Sequence, residues 1–148
     1  MNQHSYSLKG NPSLLDFEFV SEGPKGKIKK AVRYSLQNSF GTTYLNLAFG
    51  DLKEEAGSID DTVVSNNEDK AKVLRTVGET VRSVTGNFPD MFVFAQGSSP
   101  ARTRLYQMGI AANLAEIETF LMIWGVTGKD WVPFSKGINF EAFPVKRK

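Results

Sequence analysis

Three observations predict an α+β domain, an antiparallel sheet with two main helices packed on one face. Apolar and polar residues alternate with a period of two through most of the stretch up to Leu52. Two later stretches carry apolar residues at helical spacing behind cap-forming residues. At 148 residues, the chain has the length of one ordinary domain with a single core, in which such strands and helices bury one another.

Taken in order, Leu15-Asp16-Phe17-Glu18-Phe19 alternates as a half-buried strand does. Gly23-Pro24-Lys25-Gly26 follows as a turn, in which proline sets φ and the glycines admit positive φ. In the second strand Ile28, Val32, Tyr34 and Leu36 face one way, and Lys27, Lys29 and Arg33 the other. Lys30 falls on the apolar side, which predicts that this end of the strand reaches solvent. A turn over 38–42 leads to a third strand over 44–52, with Leu45, Leu47 and Phe49 on one face, so the three form an antiparallel meander. The acidic stretch 51–61 reads as a loop, and 62–64 as a short strand.

Ser65-Asn66-Asn67-Glu68 has the form of a capping box. It opens a helix bearing Ala71, Leu74, Val77 (or Gly78), Val81 and Val84, with Gly86 as its stop. Between Pro89 and Gly97, residues 90–95 read as a buried strand. Ser99-Pro100 is an N-cap followed by proline at the first helical position, and that helix is expected to turn Leu105, Met108 and Ala112 inward. Asn113-Leu114-Ala115-Glu116 resembles a second cap, at which the helix breaks and restarts. Periodicity leaves 120–126 open between helix end and strand. A turn at 127–130 precedes two short strands, 131–134 and 138–143, and the tail Lys146-Arg147-Lys148 is basic.

Composition narrows the chemistry. With no cysteine there is no disulfide framework, thiolate nucleophile or Cys-ligated zinc. A single histidine, His4, argues against a Ser–His–Asp triad or a multi-histidine metal site. No apolar run approaches the roughly 20 residues of a membrane-spanning helix, and no signal peptide is apparent, so the default placement is the cytoplasm with no membrane partner. Adjacent acids at Asp60-Asp61 lack the spacing of a calcium loop, and neither metal nor cofactor is expected.

Two basic features stand out. Gly97-Ser98-Ser99-Pro100-Ala101-Arg102-Thr103-Arg104 places small residues, hydroxyls and two arginines at a helix start, where unpaired N–H groups favour an anion. Gly97, Ser98, Ser99, Arg102 and Arg104 are the candidate phosphate ligands. The plainer reading is that Ser99 only caps while the arginines pair with surface acids. Lys25, Lys27, Lys29, Lys30 and Arg33 put five positive charges within nine residues. With Tyr34 and Tyr44 nearby, Lys25, Lys27, Lys29 and Arg33 are candidates for a nucleic-acid backbone. Against that, the hairpin is expected to bring Glu18 close to Lys29 and Asp16 towards Ala31, and lysines also protect exposed strand edges. Residues 51–69 hold seven acids against Lys53, so a net charge of only +2 conceals a dipolar molecule.

The runs Phe17-Glu18-Phe19, Ser21-Glu22-Gly23-Pro24-Lys25-Gly26, Phe49-Gly50-Asp51, Ser65-Asn66-Asn67 and Gly97 to Tyr106 resemble those of a family of short bacterial proteins catalogued as a domain of unknown function. The closing stretches 136–143 and 145–148 are similar too, so the resemblance covers nearly the whole chain. It implies one domain and carries over no activity, cofactor or catalytic residue.

The expected role is a non-enzymatic module that binds a phosphate-bearing partner, nucleic acid or another polyanion, through the basic hairpin and the arginine turn. One alternative is a small, toxin-like nucleotide- or RNA-processing enzyme, with Asp51 or Asp60 as base or metal ligand. The other is an interaction module or homodimer, built on Trp124, Trp131, Phe134 and Phe140, which belong to the core or to a dimer surface.

Overall fold

The computed structural model describes residues 5–10, 15–39, 41–53, 58–60 and 67–148. Among them are nine strands and three helices: β1 (Lys9–Gly10), β2 (Asp16–Gly23), β3 (Gly26–Ser39), β4 (Thr42–Lys53), β5 (Ser58–Asp60), α1 (Lys70–Asn87), β6 (Val93–Ala95), α2 (Pro100–Ala112), α3 (Leu114–Ile117), β7 (Leu121–Thr127), β8 (Asp130–Pro133) and β9 (Phe143–Arg147). The α+β class is as expected. The strands run β1-β2-β3-β4-β6-β9-β7-β8 across one sheet, with β5 paired to β4. All the pairs are antiparallel except β4 with β6, which is parallel because α1 lies on the connection between them.

Alternation sets the two faces. Phe17, Phe19, Val32, Tyr34, Leu45, Leu47, Val93, Leu121, Phe143 and Val145 share one face and join the core with Val73, Val77 and Val84 of α1 and Tyr106 of α2. The helices thus cover one face of the sheet, as predicted, and no described helix covers the other. Buried Thr76, Thr80 and Thr85 return their hydroxyls to carbonyls of their own helix, which makes them compatible with an apolar contact.

Several expectations change in detail. The hairpin closes on Gly23 opposite Gly26, leaving a two-residue loop. Glu18 therefore faces Ala31 and Asp16 faces Arg33, two positions away from the pairing expected. Lys30 does not reach solvent: it is 5% exposed, and its Nζ lies 2.6 Å from Asp51 Oδ1. The supposed acidic loop is partly strand, since β4 continues to Lys53 and pairs with β5. Residues 62–64, Ser65 and Asn66 lie outside the described residues. The capping box is not the helix start: α1 begins at Lys70 behind Asp69, which makes no side-chain cap.

Asn67 instead clamps the hairpin. Its Nδ2 donates to Ser21 Oγ (3.1 Å) and to the Gly26 carbonyl (3.0 Å), and its Oδ1 accepts from the Lys25 N–H (2.7 Å). Any Cβ at residue 23 would strike the Asn67 carbonyl, so the close approach requires Gly23. Asp69 completes the clamp by accepting from the Ser21 and Tyr6 hydroxyls at 2.5 and 2.6 Å.

Ser99 caps α2 by accepting from the Arg102 N–H, with Pro100 at the helix start. The inward face of α2 differs from the expectation. Arg102, Thr103 and Tyr106 are buried, whereas Met108 is 51% exposed. A segment with so weak an apolar stripe takes its orientation from the surface it meets. Residues 121–127 are strand, and the helix restarts at Leu114 as predicted. The last strand begins at Phe143 instead of Ile138, so Lys146 and Arg147 of the basic tail belong to a strand between β6 and β7.

Candidate nucleic-acid interface

The uncovered face is built from the alternate residues of the same strands. On β3 it presents Lys27, Lys29 and Arg33, because Ile28, Val32 and Tyr34 turn towards the helices. Lys27 lies 3.9 Å from Glu22, and Arg33 lies 3.8 Å from Asp16, both pairs well exposed. Such pairs in water are weak and exchange readily with another anion. Lys25 sits at the hairpin tip, held through its backbone by Asn67.

Beyond β3 the same face becomes aromatic. Tyr44 packs on Phe94 at 5.5 Å between centroids. Phe92 meets Trp124 at 5.5 Å and Trp131 at 5.4 Å, and Trp131 also reaches Phe94 at 6.3 Å. Lys146 places its ammonium 5.3 Å from the Phe92 ring centre. Five rings from β4, the start of β6, β7 and β8 therefore form one cluster, with Trp131 46% exposed and Met122 38% exposed. The rings tilt against one another and expose edges and faces, as aromatic pairs prefer.

Of the tyrosines named beside the basic hairpin, Tyr44 belongs to this face and Tyr34 does not. The Tyr34 hydroxyl is bonded to Thr80 of α1 at 2.6 Å, and burial pushes its ionisation well above the usual tyrosine range. Tyr6, on the helix side, is also raised, first by desolvation and then by its bond to Asp69.

The arginine turn divides. Gly97, Ser98, Ser99 and Arg104 line an open cleft of about 540 Å³ together with Gln107 and Glu141. Arg102 is elsewhere: 6% exposed, it lies 5.6 Å from the centre of the Phe49 ring and directs a guanidinium N–H to the Phe49 carbonyl at 3.4 Å. Two positions along a helix turn a side chain by about 200°, so Arg104 points outward when Arg102 points in. Gly97 is needed for close packing, because a Cβ there would collide with the Arg102–Thr103 backbone. Arg104 stands on the helix-bearing side of the sheet, whereas Lys27, Lys29 and Arg33 stand on the uncovered side. The two basic features do not form one surface.

Asp51, the candidate base, holds the buried Lys30 ammonium; the side chain of Asp60 lies outside the described ones. Among the described residues no group of three His, Cys, Asp or Glu converges to hold a metal ion, and no helix is long and apolar enough to cross a membrane. Sequence reasoning missed Phe92, Phe94 and Lys146. Residues 91–95 are a continuous apolar run, which gives no face by alternation, and Lys146 falls in the basic tail 146–148.

A family model described as a family of unknown function (DUF6934) matches residues 2–148. No curated protein and no solved structure matches the chain.

Proposed function

Since the chain belongs to that family of unknown function, we propose its role from geometry: the uncovered sheet face binds single-stranded nucleic acid. The observation that carries this reading is one face that bears the cations Lys27, Lys29 and Arg33 along β3 and, towards its other end, the ring cluster of Tyr44, Phe92, Phe94, Trp124 and Trp131 with Lys146 beside Phe92. Unpaired bases stack on exposed rings, at about 1–3 kcal/mol per base, while cations follow the phosphates. A duplex hides its base faces and offers only the charge term. Gly97, Ser98, Ser99 and Arg104 are a separate anion contact on the other side of the sheet.

Both tryptophans of the chain lie in the cluster, so stacking is expected to quench its intrinsic fluorescence. Titration with labelled single-stranded and duplex DNA and RNA at two salt concentrations tests the proposal by quenching and anisotropy. With four face cations engaged, log K should fall with log salt at a slope of about −3. Trp131→Ala should weaken single-strand binding at least fivefold. Equal affinity for duplex, or no effect of Trp131→Ala, rejects the stacking surface; cleavage of the probe transfers it to an enzyme.

The exposure of Trp131 and Met122 favours a second reading, in which a second copy of the chain covers the rings. Sedimentation would then show a dimer that Trp131→Ala dissociates, with no affinity for nucleic acid.

A further inference from the structure

A mostly apolar cleft of about 130 Å³ runs between α1 and α2 over the middle of the sheet, floored by Leu47, Val93 and Phe143 and walled by Leu74 and Tyr106. An apolar cavity of about 150 Å³ stays dry and takes up benzene, so a group of about six carbons fits a space of this size.

Gly78 borders the cleft in the middle of α1. Glycine there costs a helix about 1 kcal/mol relative to alanine. Nothing lies within 4 Å of where its Cβ would stand, and its φ is not in the left-handed region. Neither the backbone nor packing requires glycine at 78; its physical effect is to leave the mouth wide.

Phe120 also borders the cleft, and two guanidiniums approach its ring, Arg82 at 4.8 Å and Arg147 at 5.2 Å. Arg147 donates to the Arg82 carbonyl at 2.6 Å, but its Nε is buried without a hydrogen-bond partner among the described residues. Neither guanidinium has an ion-pair partner among those residues. Of the two acids at the rim, Glu116 is held by Arg75 at 3.7 Å. Glu79 stands one turn from both Arg75 and Arg82, and Arg147 reaches the cleft's edge through its contact with Phe120. Two cations gathered on one ring repel, and a buried N–H without an acceptor is costly. A carboxylate beside the two guanidiniums offsets their repulsion through charge-assisted bonds.

The geometry points to a binding site for a small amphipathic carboxylate, its hydrocarbon part in the cleft and its carboxylate on Arg82 and Arg147. Nucleic acid plays no part in it, and the site stands apart from the uncovered face.

Calorimetric titration of the full chain with hexanoate, and with hexanol as its neutral counterpart, tests the assignment. Hexanoate should bind at least tenfold more tightly than hexanol. Arg82→Gln and Arg147→Gln should each bring hexanoate towards the affinity of hexanol and leave hexanol unchanged. Gly78→Leu should abolish binding of both while the circular dichroism spectrum is retained. Should that variant fail to fold, the two arginine variants decide. Equal binding of hexanoate and hexanol, hexanoate binding that survives Gly78→Leu, or no saturable binding at millimolar hexanoate overturns the proposal.

Discussion

Asn67→Ala is the most direct probe of how the basic hairpin is held. The side chain is 2% exposed and makes three hydrogen bonds, two donated from Nδ2 and one accepted from the Lys25 N–H. A net hydrogen bond contributes about 1 kcal/mol, and more when a buried partner is left unsatisfied. The three losses are unequal. Lys25 is at an exposed turn, where water can replace the lost acceptor. Ser21 is fully buried but keeps its bond to Asp69 at 2.5 Å, and the Gly26 carbonyl loses its clamp. Together these amount to about 2–3 kcal/mol of stability, or a Tm lower by roughly 4–12 °C for a domain of this size. Urea unfolding followed by circular dichroism should show a lower midpoint with an unchanged slope, since the surface exposed on unfolding hardly changes. Lys25→Ala, which removes only an exposed side chain, is the control and should stay within about 0.5 kcal/mol of the parent. A midpoint for Asn67→Ala indistinguishable from that control would refute the idea that this residue locks the hairpin.

Three further outcomes are expected. Gly125→Ala places a methyl inside the contact with the Phe140 ring, itself in the core; a loss of about 1–3 kcal/mol should appear in thermal unfolding, and an unchanged Tm contradicts the packing described. Lys30→Met leaves the Asp51 carboxylate without the ammonium at 2.6 Å. Because Asp51 is only partly buried, the cost should be about 2 kcal/mol, below the range for fully enclosed pairs, and Lys30→Met/Asp51→Leu should recover part of it. Stability should decline as pH rises above about 10, where the unfolded phenol ionises while the buried Tyr34, raised by desolvation, keeps its proton. Below that pH its contribution is fully present. Tyr34→Phe should flatten the decline between about pH 9 and 11, and an identical slope in both proteins counts against the assignment.

Apart from the capping box before α1, local signals in the chain proved dependable where the physics is local. The Gly-Pro-Lys-Gly turn, the Ser99-Pro100 helix start, the helix restart at Asn113 and the alternation of β2, β3 and β4 each depend on neighbours within a few positions. The same alternation put Lys27, Lys29 and Arg33 on the face opposite Val32 and Tyr34. The hairpin register was not legible to that degree: moving a turn by one residue per strand changes every cross-strand pair. Lys30 and Arg102 were misjudged because burial of a charge depends on a distant partner, here Asp51 and the Phe49 carbonyl.

The residues alone point to an α+β fold, its meander, its capped second helix and a segregated positive charge. Those follow from backbone sterics, period and charge, which act over a few residues. The fold as a whole sets β9 between β6 and β7, bringing Lys146 beside Phe92, and gathers rings from four separate strands on one face. It also puts the arginine turn and the basic hairpin on opposite sides of the sheet. Those relations join residues far apart in the chain, and the order of strands in the sheet, which no local spacing encodes, sets them.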